Sequence, residues 1–291
     1  MNWHSTSFLL LTVNVYICST NAFVPLVDGG KNMPALYNGW MNDQIAKQAS
    51  TAVGKAIASG VKQIEVNFPP VPNVEEAKFG TPLNQLFGTK VVAREIGFTG
   101  GYKPGSDVSR QLIAYSNMYW AKKIAPAIGG GIMGGSKVTV LTAEAVNLKL
   151  IQNSGVGRTA SLSPRASQEF QNEAVIVVNP GGEEQWERIR AVHASDDIPF
   201  VILNNAYSTT YDLGNKRGYE EAYFLKRISK GWVFRAFPGP WQAYLEKPDG
   251  NVELLASYKI KPSLKEVATA VREESFKRYA MGNDRWMSGR L

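Results

Sequence analysis

The chain has 291 residues, a formal charge of +7 and 44% hydrophobic residues, enough for one large α/β domain or two modest ones with a substantial core. One cysteine, Cys18, and two histidines, His4 and His193, exclude a disulfide framework, cysteine-based zinc sites and multi-histidine metal sites once the N-terminus is removed. The basic residues are scattered, with no run of five or more of the kind that marks a nucleic-acid tail, and the charge fits weak attraction to an anionic membrane surface, to RNA or to acidic partner faces.

Met1–Ala22 reads as a signal peptide. Phe8–Ile17 is a short apolar core, too short to span a bilayer, and Ser19-Thr20-Asn21-Ala22 supplies small residues for cleavage. Ala22-Phe23-Val24-Pro25 resembles the junction of bipartite plastid presequences in diatoms and related algae, where Phe opens the transit peptide. That resemblance implies cleavage near Ala22-Phe23 and delivery to the plastid, to the stroma or the stromal face of the thylakoid; the cysteine-poor remainder agrees with it. The expected organisation is a signal peptide over 1–22, a transit segment or linker over 23–38, a single α/β domain over 39–278 and a tail over 279–291.

Asn42 to Ser59 has helical spacing, with Ile45, Ala49, Ala52, Val53, Ala56 and Ile57 on one face and Gly60 at C′. Val61–Phe68 alternates as a strand, Ile64, Val66 and Phe68 pointing one way. Asp107 caps a helix from Val108 to Ala125, ended by Pro126, with Leu112, Ile113, Tyr115, Met118, Tyr119 and Ile124 as its apolar face. Gly129, Gly131 and Gly134 match the G-x-G-x-x-G spacing. A helix precedes them and the strand Val138–Leu141 follows, the reverse of a dinucleotide site, so the stretch reads as a connector. Ala143–Gln152 reads as a helix and Asn153–Ser167 as a polar loop.

Ala174–Asn205 is the organising unit. Ala174–Val178 is an uninterrupted apolar run, the composition of a strand buried on both faces. Asn179-Pro180-Gly181-Gly182 ends it, Glu183 to Ala194 has helical spacing, and Phe200–Leu203 is a second apolar strand. Strand, helix and strand of this length predict a right-handed βαβ unit with parallel strands. A Ser-His-Asp arrangement would need His193, which falls on that helix as an ordinary packing or surface residue.

Beyond it, Ala206–Arg217 is a loop, Gly218–Ala222 a helical turn and Tyr223–Ile228 a strand. Trp232–Phe237, Trp241–Glu246 and Val252–Tyr258 form three antiparallel strands, joined by Pro238-Gly239-Pro240 and Pro248-Asp249-Gly250. Ser263 caps a last helix with Glu266 at the capping-box position and Leu264, Val267, Val271 and Phe276 on one face. The fold class is α/β: a parallel, Rossmann-like βαβ sheet continued by an antiparallel β-meander and a C-terminal helix.

Ligands of such sheets bind at the carboxyl ends of strands. The candidate ligand-binding residues are therefore Asn179, Gly181 and Gly182 after the first strand of the unit and Asn204 and Asn205 after the second. Glu183 and Glu184 at the helix start would repel an anion there, and the asparagine amides could tie down the loop instead. Arg235 and Trp241 are the candidate partner-binding residues, because Trp and Arg dominate interface hot spots. A buried Trp also serves as core. The residues provide no catalytic set, no metal ligands and no cofactor motif in its proper context.

Val178-Asn179-Pro180 with Phe200–Asn205, and Phe234-Arg235-Ala236-Phe237-Pro238-Gly239-Pro240-Trp241-Gln242, resemble the hallmark segments of the family called domain of unknown function nineteen-ninety-five. The resemblance spans about Asn42 to Phe276. An acidic Asp-Gly-like segment expected in the middle of that family is not evident near Val138–Gly155. The family occurs in plastids and cyanobacteria. It includes assembly factors of the Low Photosystem II Accumulation type, and a related domain follows the kinase in some chloroplast adenylate kinases. It brings no catalytic residues to carry over. The resemblance implies a non-enzymatic auxiliary factor that binds photosystem or thylakoid proteins. The alternative is a nucleotide- or phosphate-binding regulatory module. RNA binding ranks last, since aromatic and basic residues are not interleaved in an RNA-reading signature.

Overall fold

The computed structural model describes residues 43–70, 107–129, 138–142, 159–161, 173–180, 197–205, 218–248 and 251–279. Within them lie nine strands and three helices: α1 (Asp43–Ala58), β1 (Gln63–Asn67), α2 (Asp107–Ile128), β2 (Val138–Thr142), β3 (Thr159–Ser161), β4 (Ala174–Val178), β5 (Phe200–Leu203), β6 (Glu220–Ile228), β7 (Gly231–Ala236), β8 (Trp241–Glu246), β9 (Val252–Tyr258) and α3 (Leu264–Tyr279). All nine strands form one mixed sheet in the order β3-β2-β4-β5-β1-β6-β7-β8-β9.

The parallel half runs from β3 to β6. β4 pairs with β5 in register Val175↔Phe200 to Val178↔Leu203, as their apolar runs predict, and all nine residues of the two strands are buried. The helix expected between them lies outside the described residues, as does the one at Ala143–Gln152. β1 is central: it pairs in parallel with β5 on one side and β6 on the other. β6 then pairs antiparallel with β7, and β7, β8 and β9 continue as a meander. The antiparallel part thus has four strands rather than the three expected, and β6 belongs to both halves.

The helices cover both faces. α1 buries Ile45, Ala46, Ala49, Ala52, Val53 and Ala56, the stripe its spacing dictates, against Ile64, Val66 and Phe68 of β1. It ends in a Schellman motif. Val61 N–H donates to Ala56 O (3.0 Å), Gly60 N–H donates to Ile57 O (2.9 Å), and Gly60 takes φ 88°. α2 packs on the same side and buries Met118, Trp120, Ala121 and Ile124. α3 covers the other face of the meander, with Val267 and Val271 against Phe224, Val233, Trp241 and Leu245.

Four expectations are corrected. α2 does not stop at Pro126 but runs to Ile128, and Gly129 N–H still donates to Ala125 O (3.1 Å). A proline near a helix end forfeits one hydrogen bond, which packing of Ile124 and Ile128 offsets. The loop read over Asn153–Ser167 contains β3, a three-residue edge strand pairing Thr159 with Val140; so short and polar a strand has no periodicity to read. Gly218–Ala222 is not a helical turn, because β6 starts at Glu220 to pair with Ile64. On α3 the buried stripe is Val267, Val271 and Ser275, while Phe276 is 46% exposed. One position further round the helix is a turn of about 100°.

A chain of edge-to-face aromatic contacts joins the two halves under the helices. It runs from Trp120 to Phe68 (5.1 Å between centroids), Tyr223 (5.8 Å), Phe234 (5.7 Å) and Tyr244 (6.4 Å). Burial pushes the Tyr223 hydroxyl far above its usual range, and it donates to Gln48 Oε1 of α1 (3.1 Å). On the opposite face, Arg278 of α3 bridges Glu253 of β9 (2.9 Å) and Glu274 (2.6 Å). The hydrogen bond from Arg278 holds the Glu253 carboxyl below its ordinary range.

Gly231 opens β7 where α3 and β8 meet. A Cβ there would strike the Tyr244 carbonyl oxygen and lie 2.8 Å from Val271 Cγ1. Neither backbone can yield without breaking the β7–β8 ladder. Gly231→Ala is therefore expected to destabilise the domain by about 3 kcal/mol, read as the shift of a urea unfolding midpoint.

Candidate functional site

Two clusters of buried polar side chains stand out among the described residues. The first lies at the carboxyl ends of the parallel strands, where α/β sheets take ligands. Asn179 follows β4 with φ 47° and Asn204 follows β5 with φ 51°. Both sit in the left-handed region, which asparagine tolerates better than other side chains with a Cβ. Each N–H still bonds across the sheet, Asn179 to Leu203 O (2.8 Å) and Asn204 to Val66 O (2.7 Å). The strands therefore end in turns, not in frayed backbone. Gly181 and Gly182 lie outside the described residues.

The side chains of this edge bond to one another. Phe68 N–H donates to Asn204 Oδ1 (2.9 Å), and Asn204 Nδ2 donates to Asn117 Oδ1 on α2 (2.7 Å). Asn205 N–H donates to Asn67 Oδ1 (3.0 Å), and Asn67 Nδ2 donates to Glu65 Oε2 (3.2 Å). The orientation is forced. A backbone N–H can only donate, so Asn204 must present its oxygen to Phe68 and its NH2 to Asn117. Asn117 must then accept, which aims its own NH2 elsewhere. That Nδ2 is buried and has no hydrogen-bond partner among the described residues. A buried donor left unmade costs about 1–3 kcal/mol.

The second cluster lies where β6 meets β1. Glu221 is in register with Glu65 on the neighbouring parallel strand, so the two carboxylates share a face. Glu65 is 0% and Glu221 2% exposed. Lys261, from the connection between β9 and α3, brings Nζ to 2.8 Å from both Glu221 oxygens. Its ammonium also lies 5.3 Å from the Phe224 ring and 5.5 Å from the Trp241 ring. Arg235 stands 5.2 Å from the same Trp241 ring. It ion-pairs with Glu220, donates from Nη1 to Glu221 O (2.9 Å) and donates from Nε to Gly239 O (3.4 Å). The Trp241 indole is thus flanked by two cations, each tied to one of two successive glutamates.

The structure brings the expected residues together in two groups. Asn179, Asn204 and Asn205 share one edge. Arg235 and Trp241 meet in the other cluster, where Trp241 is only 3% exposed and packs in the chain's own core. Five residues that complete these clusters were not singled out by the sequence: Glu65, Asn67, Asn117, Glu221 and Lys261. Glu65 and Asn67 alternate with Ile64 and Val66, a pattern that also describes a strand with one wet face. The available signal was their place in an α/β chain, where a central parallel strand has both faces covered.

The arrangement offers amide donors and acceptors and a buried carboxylate–ammonium pair. Among the described residues no group of three or more His, Cys, Asp or Glu side chains could hold a metal ion.

A family model described as a domain of unknown function, DUF1995, matches residues 41–269. The chain belongs to the DUF1995 family. The match starts at α1, takes in every strand of the sheet and ends within α3, so both polar clusters lie inside the DUF1995 domain. No curated protein matches the chain.

Two outcomes test how the clusters act. Asn204→Ala removes the acceptor of a buried N–H and places Cβ-bearing alanine at a positive φ; a loss of about 3 kcal/mol is expected by urea unfolding. Asn204→Gly, which accepts that φ, should cost about 1 kcal/mol less. Lys261→Met leaves the Glu221 carboxylate buried without its cation and should cost about 3–5 kcal/mol. The double variant Lys261→Met/Glu221→Leu should cost less than Lys261→Met alone.

Proposed function

We propose that this DUF1995 protein is a plastid auxiliary factor that acts by binding proteins, in photosystem assembly or thylakoid biogenesis, without catalysing a reaction. The observation that carries the reading is the state of the carboxyl edge. At the place where an α/β sheet would take a substrate, Asn204 bonds to Asn117 and accepts from the Phe68 N–H just after β1, and Asn67 accepts from the Asn205 N–H just after β5. Such a network rigidifies a scaffold. Support for the compartment comes from the Ala22-Phe23-Val24-Pro25 junction. Support for the process comes from the likeness of Phe234–Gln242 to the hallmark segment of a family that includes assembly factors of the Low Photosystem II Accumulation type. In this reading the chain works in the stroma or at the stromal face of the thylakoid, its partners are photosystem or thylakoid proteins, and no cofactor takes part.

The full chain fused to a fluorescent protein, expressed in an alga with secondary plastids, is expected inside the plastid. Tagged protein recovered from solubilised thylakoids is expected to bring photosystem subunits with it by mass spectrometry. Signal outside the plastid overturns the location. A nucleotide that raises stability by about 2.7 kcal/mol at 100 times its dissociation constant would overturn the protein-binding reading in favour of a nucleotide-binding module.

A further inference from the structure

Ile260 is 80% exposed, at the turn between β9 and α3. Its neighbour explains why. The Lys261 side chain is 5% exposed and points inward to Glu221, beneath which lie Phe224 and Trp241. Pro262 follows and fixes φ. A turn pinned by a buried ion pair cannot fold its tip away, so the isoleucine is held in water. The flanking Lys259 and Lys265 are exposed, and among the described residues neither has an ion-pair partner. Glu266, exposed in the first turn of α3, is the acidic residue of this stretch; its N–H meets Ser263 Oγ in the helix cap (3.4 Å).

The other exposed large hydrophobic among the described residues, Phe276, lies on α3 twelve positions beyond Leu264. At 1.5 Å per residue that is about 18 Å along the helix from Leu264, while Ile260 lies before the helix starts, so Phe276 sits towards the far end of α3 from the turn. A protein interface of ordinary size buries about 800 Å² per partner around an apolar centre. One protruding aliphatic side chain in a turn that also carries the exposed Lys259 and Lys265 has a different match. Ile enters the boundary between headgroups and acyl chains, while lysine stems reach back to the phosphates. Among the described residues no helix is long and apolar enough to cross a membrane, so the contact would be peripheral.

We propose that the turn from Lys259 to Lys265 is a docking point for an anionic lipid surface, with Ile260 entering the interface and Lys259 and Lys265 meeting the headgroup phosphates. The inference stands on this turn and does not rest on the assembly role. It predicts weak, reversible and salt-sensitive attachment.

The test is sedimentation of the full chain with vesicles of phosphatidylcholine alone and of phosphatidylcholine mixed with phosphatidylglycerol. Ile260→Ser and the pair Lys259→Ser/Lys265→Ser should each weaken binding to the anionic vesicles about tenfold or more. Phe276→Ser, equally a loss of exposed apolar surface, should leave it unchanged. All four chains keep the same N-terminus, so the differences report on the turn. Binding by Ile260→Ser equal to that of the unaltered chain overturns the proposal, as does an equal loss in Phe276→Ser. If Ile260→Ser binds vesicles normally but no longer recovers a thylakoid protein, the turn is a protein contact and the lipid assignment fails.

Discussion

The β1–β6 pairing is the constraint on which the rest depends. β1 is the last strand with only parallel neighbours, and β6 is the first with an antiparallel one. Everything that distinguishes this domain from a plain doubly wound sheet is attached there. Glu65 and Glu221 meet on one face of the pair. On the other, Phe68 and Tyr223 continue the ring contacts that run from α2 to β8. Loss of this pairing would separate the parallel half from the meander and break the apolar core that α1 shares between β1 and β6.

Two carboxylates side by side in a sheet interior are costly unless compensated, because removing a charge from water exceeds most Coulombic gains. The compensation for Glu221 comes from far along the chain: Lys261 arrives after β9, forty residues later. The pair therefore fixes the path of the β9–α3 connection as well as the charge. Arg235 does the same for Glu220 and for the β7–β8 turn, by bonding to Gly239 O. The Phe234–Gln242 segment thus has an internal explanation. Its arginine and tryptophan organise the junction, with Trp241 as the shared apolar platform between two cations.

The asparagine edge follows a different logic. Left-handed turns after β4 and β5 require a residue that tolerates positive φ, and asparagine supplies both that and an amide. Once Asn204 accepts from the Phe68 N–H, the orientation of Asn117 is set too, down to its Nδ2, which has no partner among the described residues. Asn179 follows β4, and Asn204 and Asn205 follow β5, at the carboxyl edge of the sheet. Their bonds run to neighbouring strands and to α2, which sequence spacing alone does not reveal.

The sequence by itself determined the elements whose pattern is local. The apolar runs of β4 and β5, the stripe and Gly60 cap of α1, the alternating meander and the Ser263 cap of α3 were all legible, because helix and strand periods and turn chemistry act over a few residues. Tertiary structure decided what depends on distant neighbours. It ran α2 through Pro126, made a strand of Thr159–Ser161, and started β6 at Glu220. It also turned Glu65 and Asn67 from a plausible wet face into a buried one, 0% and 6% exposed, on a strand set mid-sheet between β5 and β6. The physical reason is that burial and charge pairing are set by which strands become neighbours. That choice is made by contacts across more than a hundred residues, such as Phe68 with Asn204, and not by any pattern inside one segment.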